Sequence, residues 1–241
     1  MEAIKIVDLT KTYKDLIAVD HLNLEIEEGE LFSLLGVNGA GKTTTIKMIS
    51  TLTKPTFGDA FIYGYSINKD PEKVKEIIDV SMQETAVARK LTVEENLDFY
   101  AELSGLDKDE RIAVKKELFD AFGFSDVAKK QASKLSGGWQ RKLSIALALI
   151  SKPKVLFLDE PTLGLDVIAR RELWNTINYL KGKMTIILTT HYMEEAEFLS
   201  DRIGIMKDGK LLFVGTKEDL FVKSGKSNVE DAFIEIVQNH A

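Results

Sequence analysis

Gly36-Val37-Asn38-Gly39-Ala40-Gly41-Lys42-Thr43, followed by Thr44, is the stretch of this 241-residue chain that decides the fold. It fits the pattern G-x-x-x-x-G-K-[ST] and lies between the apolar run Leu31–Leu35 and a helix predicted from Lys42. Glycines let backbone N–H groups point inward, and a helix start adds partial positive charge, so the segment predicts a loop that cradles phosphates. Lys42 is expected to reach the β- and γ-phosphates and Thr43 to ligate magnesium. The alternative is a glycine-rich turn without a ligand, and the flanking strand and helix count against it.

Short apolar runs alternate with helical patterns along the chain. The runs of strand length are Ile4–Val7, Leu31–Leu35, Ile77–Met82, Val155–Leu158, Thr185–Leu188 and Ile203–Met206. This alternation predicts an α/β fold with a largely parallel sheet, whose ligands bind beyond the carboxyl ends of the strands. After the last run, Asp208-Gly209 predicts a hairpin, because both residues tolerate positive φ.

Between Glu84 and Ile150 the pattern becomes that of helices. Thr92 and Glu95 match a capping box, in which a hydroxyl and a carboxylate satisfy backbone donors reciprocally at a helix start. The predicted apolar helix faces consist of Val93, Leu97, Tyr100 and Leu103, and of Leu118, Phe119 and Phe122. We therefore predict a helical subdomain in this part of the chain.

Composition argues against several kinds of site and partner. The chain has no cysteine, which excludes thiolate-bound zinc, iron–sulfur clusters and disulfides. Its formal net charge of −6 has the wrong sign for a protein that neutralises nucleic-acid phosphates, so no nucleic-acid partner is expected. Charged residues interrupt the first ten positions, and no export signal is expected there. The apolar runs fall far short of the roughly 20 residues of a bilayer-spanning helix, so the chain is expected not to cross a membrane.

The apolar run Val155–Leu158 ends abruptly in two carboxylates, Asp159 and Glu160. This is the Walker B arrangement, in which Asp159 would hold the magnesium ion and Glu160 would orient and polarise the attacking water. Because a carboxylate with an ordinary pKa of about 4.3 is a weak base towards water, positioning should matter more than complete deprotonation. On its own, a strand that ends in Asp-Glu is equally well a solvated turn. The phosphate loop in the same chain favours the magnesium site.

A second glycine-containing segment, Leu135-Ser136-Gly137-Gly138, opens another predicted helix. A helix start with a serine and two unobstructed backbone donors is an anion site, although alone it is better explained as an ordinary serine N-cap. Here it follows the phosphate loop and precedes Walker B. In this order the three segments resemble the ATP-binding cassette family, with Ser136, Gly137 and Gly138 as its signature motif. The resemblance covers nearly the whole chain, from Tyr13 to about Gly215.

The resemblance implies a fold and a domain organisation. The fold is α/β, a P-loop NTPase core with a mostly parallel sheet, an N-terminal antiparallel β subdomain and an inserted helical subdomain. Residues 1–83 and 152–215 would form the core with the β subdomain, residues 84–151 the helical signature subdomain and residues 216–241 a short C-terminal tail.

The resemblance also implies ATP and Mg²⁺ as cofactors and assigns further roles. Tyr13 is similar to the aromatic residue that stacks on adenine, Gln83 to the glutamine that contacts magnesium or water, and His191 to the switch histidine that senses the γ-phosphate. Asp166 lies in a loop similar to one that crosses a dimer interface. Without the motif set, Tyr13, Gln83 and His191 would be an ordinary strand-end aromatic, a solvated amide and a structural histidine. The expected nucleotide-binding residues are Tyr13, Gly36, Asn38, Gly39, Ala40, Gly41, Lys42, Thr43, Thr44, Ser136, Gly137, Gly138 and Asp166; the catalytic ones are Glu160, His191, Gln83 and Lys42; the magnesium ligands are Thr43, Gln83 and Asp159.

Three positions depart from the family pattern. Trp139 stands where the signature often has glutamine, Leu163 where the interface loop often has serine, and Val37 where the phosphate loop often has proline. We expect phosphate contact by Ser136 to survive, whereas a hydrogen bond made by the missing glutamine is in doubt.

The function implied is ATP hydrolysis that powers a separate, multi-span membrane permease. In the family the signature of one subunit completes the ATP site of another, so a second copy or a related ATP-binding subunit is an expected partner. The chain would then be cytoplasmic and peripheral on the inner face of the cell membrane, held there by the permease. Residues 189–197 resemble subunits of drug, antibiotic or lipid exporters, which favours export. The transported substrate stays open.

Two other classes of protein fit the sequence less well. The alternative function is that of a soluble mechanical ATPase in DNA repair or translation, but the single cassette, the missing coiled-coil insertion and the acidic balance count against it. A P-loop kinase or GTPase would give no reason for the Ser136 motif.

Overall fold

A computed structural model describes residues 1–239 of the chain. The strands are β1 (Glu2–Tyr13), β2 (Leu16–Glu27), β3 (Leu31–Leu35), β4 (Phe57–Ile62), β5 (Tyr65–Ser66), β6 (Ile78–Ser81), β7 (Val155–Asp159), β8 (Thr185–Thr190), β9 (Arg202–Lys207) and β10 (Lys210–Gly215). The α-helices are α1 (Lys42–Ile49), α2 (Pro71–Ile77), α3 (Val93–Leu103), α4 (Lys108–Phe122), α5 (Gly137–Ala148), α6 (Val167–Leu180), α7 (Met193–Leu199), α8 (Lys217–Ser224) and α9 (Val229–Gln238).

The first sheet is antiparallel, with strand order β2-β1-β4-β5. Along β2, Leu22, Leu24 and Ile26 are buried while the residues between them are exposed, which is the alternation of a strand with one face against the core. Strand β1 carries a bulge between Val7 and Thr10 opposite β4. The sheet is the expected N-terminal antiparallel β subdomain.

The second sheet has the order β10-β9-β3-β8-β7-β6, and its strands are parallel except for β10. Every residue of β3, β7 and β8 is buried, as expected for parallel strands with both faces covered. The α/β fold with a mostly parallel sheet is thereby confirmed. The predicted strand 77–82 is shorter, because Ile77 ends α2 and β6 spans only Ile78–Ser81. The hairpin at Asp208-Gly209 is confirmed, with φ of 47° and 79° at these residues.

Helices α3, α4 and α5 fill the segment predicted to be helical. The capping box at the start of α3 is confirmed: Thr92 Oγ1 accepts from the backbone N–H of Glu95 at 3.2 Å, and Glu95 Oε2 accepts from that of Thr92 at 2.8 Å. Apolar residues of these helices share one cluster with Leu156 and Leu158 of β7. Apolar contacts therefore run across the predicted boundaries at residues 84 and 151, and the domain division stays a prediction.

The segment after Gly215 contains two helices, α8 and α9, in its described part. Leu220 of α8 and Phe233 of α9 are buried in one cluster with Leu35, Ile203 and Ile205 of the main sheet. Residues 216–239 are thus packed against the fold, while His240 and Ala241 lie outside the described residues. Within residues 1–239, no helix combines the length and the apolar character needed to span a bilayer.

Candidate nucleotide site

The glycine-rich loop joins the end of β3 to the start of α1, and tight backbone contacts fix its path. Gly41 has a φ of +104°, and a Cβ there would lie 2.4 Å from the carbonyl oxygen of Ala18. The β9–β10 hairpin also braces the loop: Gly209 N–H donates to Ala40 O at 3.1 Å, and Gly209 O accepts from Asp20 N–H at 2.9 Å. Glycine is therefore required at position 41, and the loop is held from two sides.

Lys42 lies at the first position of α1 and is 4% exposed. Its ammonium donates to the carbonyl oxygens of Gly36 at 2.7 Å and Val37 at 3.1 Å, and it lies 3.4 Å from Glu160 Oε1. Burial lowers the pKa of Lys42, and the carboxylate of Glu160 opposes that shift. The loop therefore positions a buried cation at its centre.

Asp159 ends β7 beside the loop, in a set of oxygen ligands. Thr43 Oγ1 donates to Asp159 Oδ1 at 3.0 Å, and Thr189 Oγ1 donates to the same oxygen. The second oxygen, Asp159 Oδ2, is buried and has no hydrogen-bond partner within residues 1–239. A buried, unpartnered carboxylate oxygen beside a hydroxyl fits Mg²⁺, which takes few protein ligands when substrate phosphates supply the others. Thr43 and Asp159 therefore fit the predicted ion.

Glu160 follows with a φ of 46°, a rare conformation for a residue with a side chain. Its backbone N–H donates to Thr189 O and Thr189 Oγ1, both at 3.1 Å, which fixes the turn after the strand. The carboxylate turns into the cleft, where Oε2 lies 3.1 Å from His191 Nδ1. The strained backbone thus aims a carboxylate at the site between a lysine and a histidine.

A cleft of about 610 Å³ brings most of the predicted site residues together. It is lined by Tyr13, Gln83, Glu160, His191 and the loop residues Asn38, Gly39, Ala40, Gly41, Lys42, Thr43 and Thr44. Tyr13 is 46% exposed, and the ammonium of Lys11 lies 5.0 Å from the centre of its ring. Leu16 and Ile17 add apolar surface beside it. The predicted phosphate-binding loop and the aromatic ring of Tyr13 therefore line one cavity.

The signature residues lie elsewhere. Ser136 caps α5, its Oγ accepting from Trp139 N–H at 3.5 Å, and Asp166 Oδ1 caps α6 by accepting from Ile168 and Ala169 N–H, both at 2.9 Å. Ser136, Gly138 and Asp166 line a separate concavity of about 270 Å³. A single chain thus does not bring the signature to the phosphate loop.

Arg141 is a residue whose place in the site the sequence analysis did not identify. It lies on α5, is 4% exposed, and donates to the carbonyl oxygens of Met82, Gln83 and Asp159. Burial lowers its pKa to about 10, so the guanidinium stays charged at neutral pH. Arg141 follows the Ser136 motif in the sequence, but no local pattern there distinguishes it from a surface arginine.

Glu195, on α7, was also missed. It is fully buried, and Trp174 Nε1 donates to its Oε1 at 2.9 Å. Burial raises the pKa of this carboxyl group, and the hydroxyls of Thr190 and Thr162 partly oppose the shift. It lies four residues after His191, next to Thr190 at the end of β8.

Comparisons with known proteins agree with this geometry. The profile of the family described as "ABC transporter" matches residues 19–163. Over 224 residues the chain is 44% identical to human "Phospholipid-transporting ATPase ABCA3", covering 91% of the chain and 13% of that protein. It is 38% identical over 238 residues to "Probable multidrug ABC transporter ATP-binding protein YbhF" of Escherichia coli, covering 96% and 41%. Against "Linearmycin resistance ATP-binding protein LnrL" of Bacillus subtilis it is 38% identical over 243 residues, covering 97% and 78%.

Solved structures have the same fold. One, titled "Structure of ATP binding subunit of ABC transporter", superposes with a TM-score of 0.85 at 28% identity, covering 98% of this chain and 99% of that one. A dimeric, post-hydrolysis structure of the ATP-binding cassette MJ0796 with ADP and Pi has a TM-score of 0.78 at 28% identity, covering 88% and 98%. The chain spans less than half the length of the human and E. coli relatives.

Proposed function

Since the chain belongs to the ABC transporter family, we propose that it binds and hydrolyses ATP in the cleft and that this reaction powers a separate membrane permease. One observation carries the proposal: Lys42, Thr43, Asp159, Glu160 and His191, from distant parts of the sequence, converge around one cavity. Each is of the type that phosphoryl transfer to water requires.

The residues divide the work as follows. Lys42 and the loop N–H groups bind the β- and γ-phosphates, and the aromatic face of Tyr13 takes the adenine. Thr43 and Asp159, with Gln83, would hold Mg²⁺, which neutralises charge on the phosphate oxygens. Glu160 orients the attacking water towards the γ-phosphorus, and His191, 3.1 Å away, keeps its carboxylate in place.

We propose further that two subunits act together. Ser136, Gly137, Gly138 and Asp166 of one chain would complete the ATP site held by the phosphate loop of another. Two observations support this: the signature lies on its own concavity, apart from the phosphate loop, and the related cassette MJ0796 forms a dimer with bound ADP and Pi. ATP would then close the pair, and hydrolysis would reopen it.

The variant Glu160→Gln tests this proposal. Loss of the carboxylate should abolish phosphate release while ATP stays bound, so the protein should elute as a dimer on size exclusion with saturating ATP and Mg²⁺. Glu197→Gln, which removes an exposed carboxylate outside the cleft, should hydrolyse ATP like the unaltered protein. If Glu160→Gln binds ATP and remains a monomer, the two-subunit arrangement is wrong for this chain.

The permease and the direction of transport are the remaining part of the proposal. Relatives are named for phospholipid transport, multidrug transport and linearmycin resistance, which supports export and a place on the inner face of the membrane. Affinity purification from native membranes should yield a co-eluting multi-span protein. Recovery of nucleic acid or ribosomes instead would favour the soluble mechanical ATPase, which these relatives do not support.

A further inference from the structure

The hydrogen bonds of Arg141 join the helix that carries the signature to two strand ends of the nucleotide site. Its Nη1 donates to the carbonyl oxygens of Met82 and of Gln83, the latter at 3.4 Å, beyond the end of β6. Its Nη2 donates to Asp159 O at 3.0 Å, at the end of β7. One planar group therefore spans two neighbouring strands at the edge where the cleft lies.

The signature lies at the start of the same helix, one turn before Arg141. Ser136 caps α5, and Arg141 lies five residues further, on the second turn. Gly138 packs so closely on α6 that a Cβ there would lie 2.9 Å from the Cβ of Ala169. The start of α5 is thus constrained by α6 on one side and by Arg141 on the other.

The arginine is suited to this connection because of its shape and charge. Its fork of N–H donors is planar and rigid, so it can bind three carbonyl oxygens at once, which a lysine ammonium on a flexible stem cannot do in the same geometry. Hydrogen bonds from a charged donor are stronger than neutral ones, and this donor is buried. Through these hydrogen bonds, a movement of the backbone at Gln83 or Asp159 would therefore act on α5.

We propose that Arg141 is a positioning residue that couples the Gln83 and Asp159 backbone of a chain to the orientation of its own Ser136 motif. The inference rests on the proposed function, in which that motif faces the nucleotide of a second subunit. Occupation of one site would then be communicated, through Arg141, to the site that the same chain completes on its partner. Arg141 touches neither nucleotide; it acts through the residues that do.

The test uses Arg141→Met and Arg141→Lys, each alone and in the Glu160→Gln background. For Arg141→Met we expect the affinity of the monomer for a fluorescent ATP analogue to stay within about twofold of that of the unaltered protein. ATP-dependent dimerisation should weaken, and kcat should fall about tenfold at nearly unchanged KM, which is a typical size for coupling between sites. Arg141→Lys should recover part of both losses. Arg202→Met is the control. Arg202 also donates to a backbone carbonyl, that of Glu25, but this acceptor lies on β2 of the first sheet.

Two outcomes would contradict the proposal. Dimerisation of the double variant at the ATP concentration that suffices for Glu160→Gln would show that Arg141 couples nothing. If Arg141→Met lowered the affinity for ATP and the melting temperature together, and impaired dimerisation no more than Arg202→Met does, the role of Arg141 would be packing alone. If Arg141→Met does not fold, Arg141→Lys decides the question. Failure of Glu160→Gln itself to dimerise would instead overturn the two-subunit proposal.

Discussion

Lys42, Arg141 and Glu195 are buried ionisable side chains, and each is stabilised differently. Lys42 is bound by loop carbonyls and a carboxylate, Arg141 by carbonyls alone, and Glu195 by an indole N–H. Burial disfavours the charged form of all three groups, so each must be compensated by its neighbours. Compensation is incomplete for two of them, since Glu195 Oε2 and Arg141 Nε have no hydrogen-bond partner within residues 1–239.

Replacing Glu195 by glutamine should change how stability depends on pH. Because burial raises the folded-state pKa of Glu195 above its ordinary value, the folded chain binds more protons than the unfolded chain between the ordinary and the raised pKa. Stability contributed by the protonated group is therefore present at low pH and is lost as pH rises through this window. Glu195→Gln cannot titrate, so its melting temperature relative to the unaltered protein should increase with pH.

The measurement is thermal unfolding over a series of pH values from acid to neutral. Glu194→Gln serves as the control, because Glu194 is exposed on the same helix. If the melting temperatures of the two variants depended on pH in the same way, folding would not shift the pKa of Glu195.

Sequence patterns predict the residues of the site unevenly. The phosphate loop and the Asp159-Glu160 pair are local patterns whose spacing is fixed by one strand end, and the structure brings them together with Gln83 and His191 in the cleft. Their individual roles stay predictions. Arg141 and Glu195 could not be identified, because their importance arises from contacts with residues 18 to 59 positions away in the chain.

Among the elements, β4 pairs closely with β1 at the position of the β1 bulge, and Gly58 permits this. Its φ is +82°, and a Cβ there would lie 2.3 Å from the carbonyl oxygen of Asp8. Gly64 has the same φ of +82° but open space around it. Gly64→Ala should therefore cost only the backbone strain, about 1 kcal/mol. Gly58→Ala should lower the free energy of unfolding by about 2 kcal/mol more, since the strands must also move apart.

Urea denaturation of the two variants measures this difference directly. Equal midpoints would mean that the close approach of β1 and β4 is relieved without cost, contrary to the geometry of the bulge.

The strands of the buried sheet were easier to predict than the other elements. Continuous apolar runs mark β3, β7 and β8, because both faces of each are covered. The long strands β1 and β2 alternate and contain register shifts, so only Ile4–Val7 gave a strand signal. The sequence predicts only a short tail where helices α8 and α9 lie, because the cluster that they join is completed by residues outside this segment, such as Leu35 and Ile203.

At the scale of the whole molecule, the C-terminal helices are part of the core. Phe233 on α9 is 4% exposed, whereas its neighbour Ile234 is 43% exposed. Phe233→Ala should lower the free energy of unfolding by about 3 kcal/mol through lost burial and an unfilled cavity. Ile234→Ala should change it by less than about 1 kcal/mol. Chemical denaturation of both variants provides the comparison, and similar losses would indicate that α9 is not packed as described.

The bracing of the phosphate loop by Gly209 has a consequence for biosynthesis. Asp20, Ala40 and Gly209 meet through backbone hydrogen bonds, although nearly the whole polypeptide separates the first from the last. During translation the loop sequence is synthesised long before the hairpin that supports it. The nascent chain thus acquires a fully braced nucleotide pocket only after the hairpin has been synthesised, so termination before the hairpin should leave products unable to compete for cellular ATP.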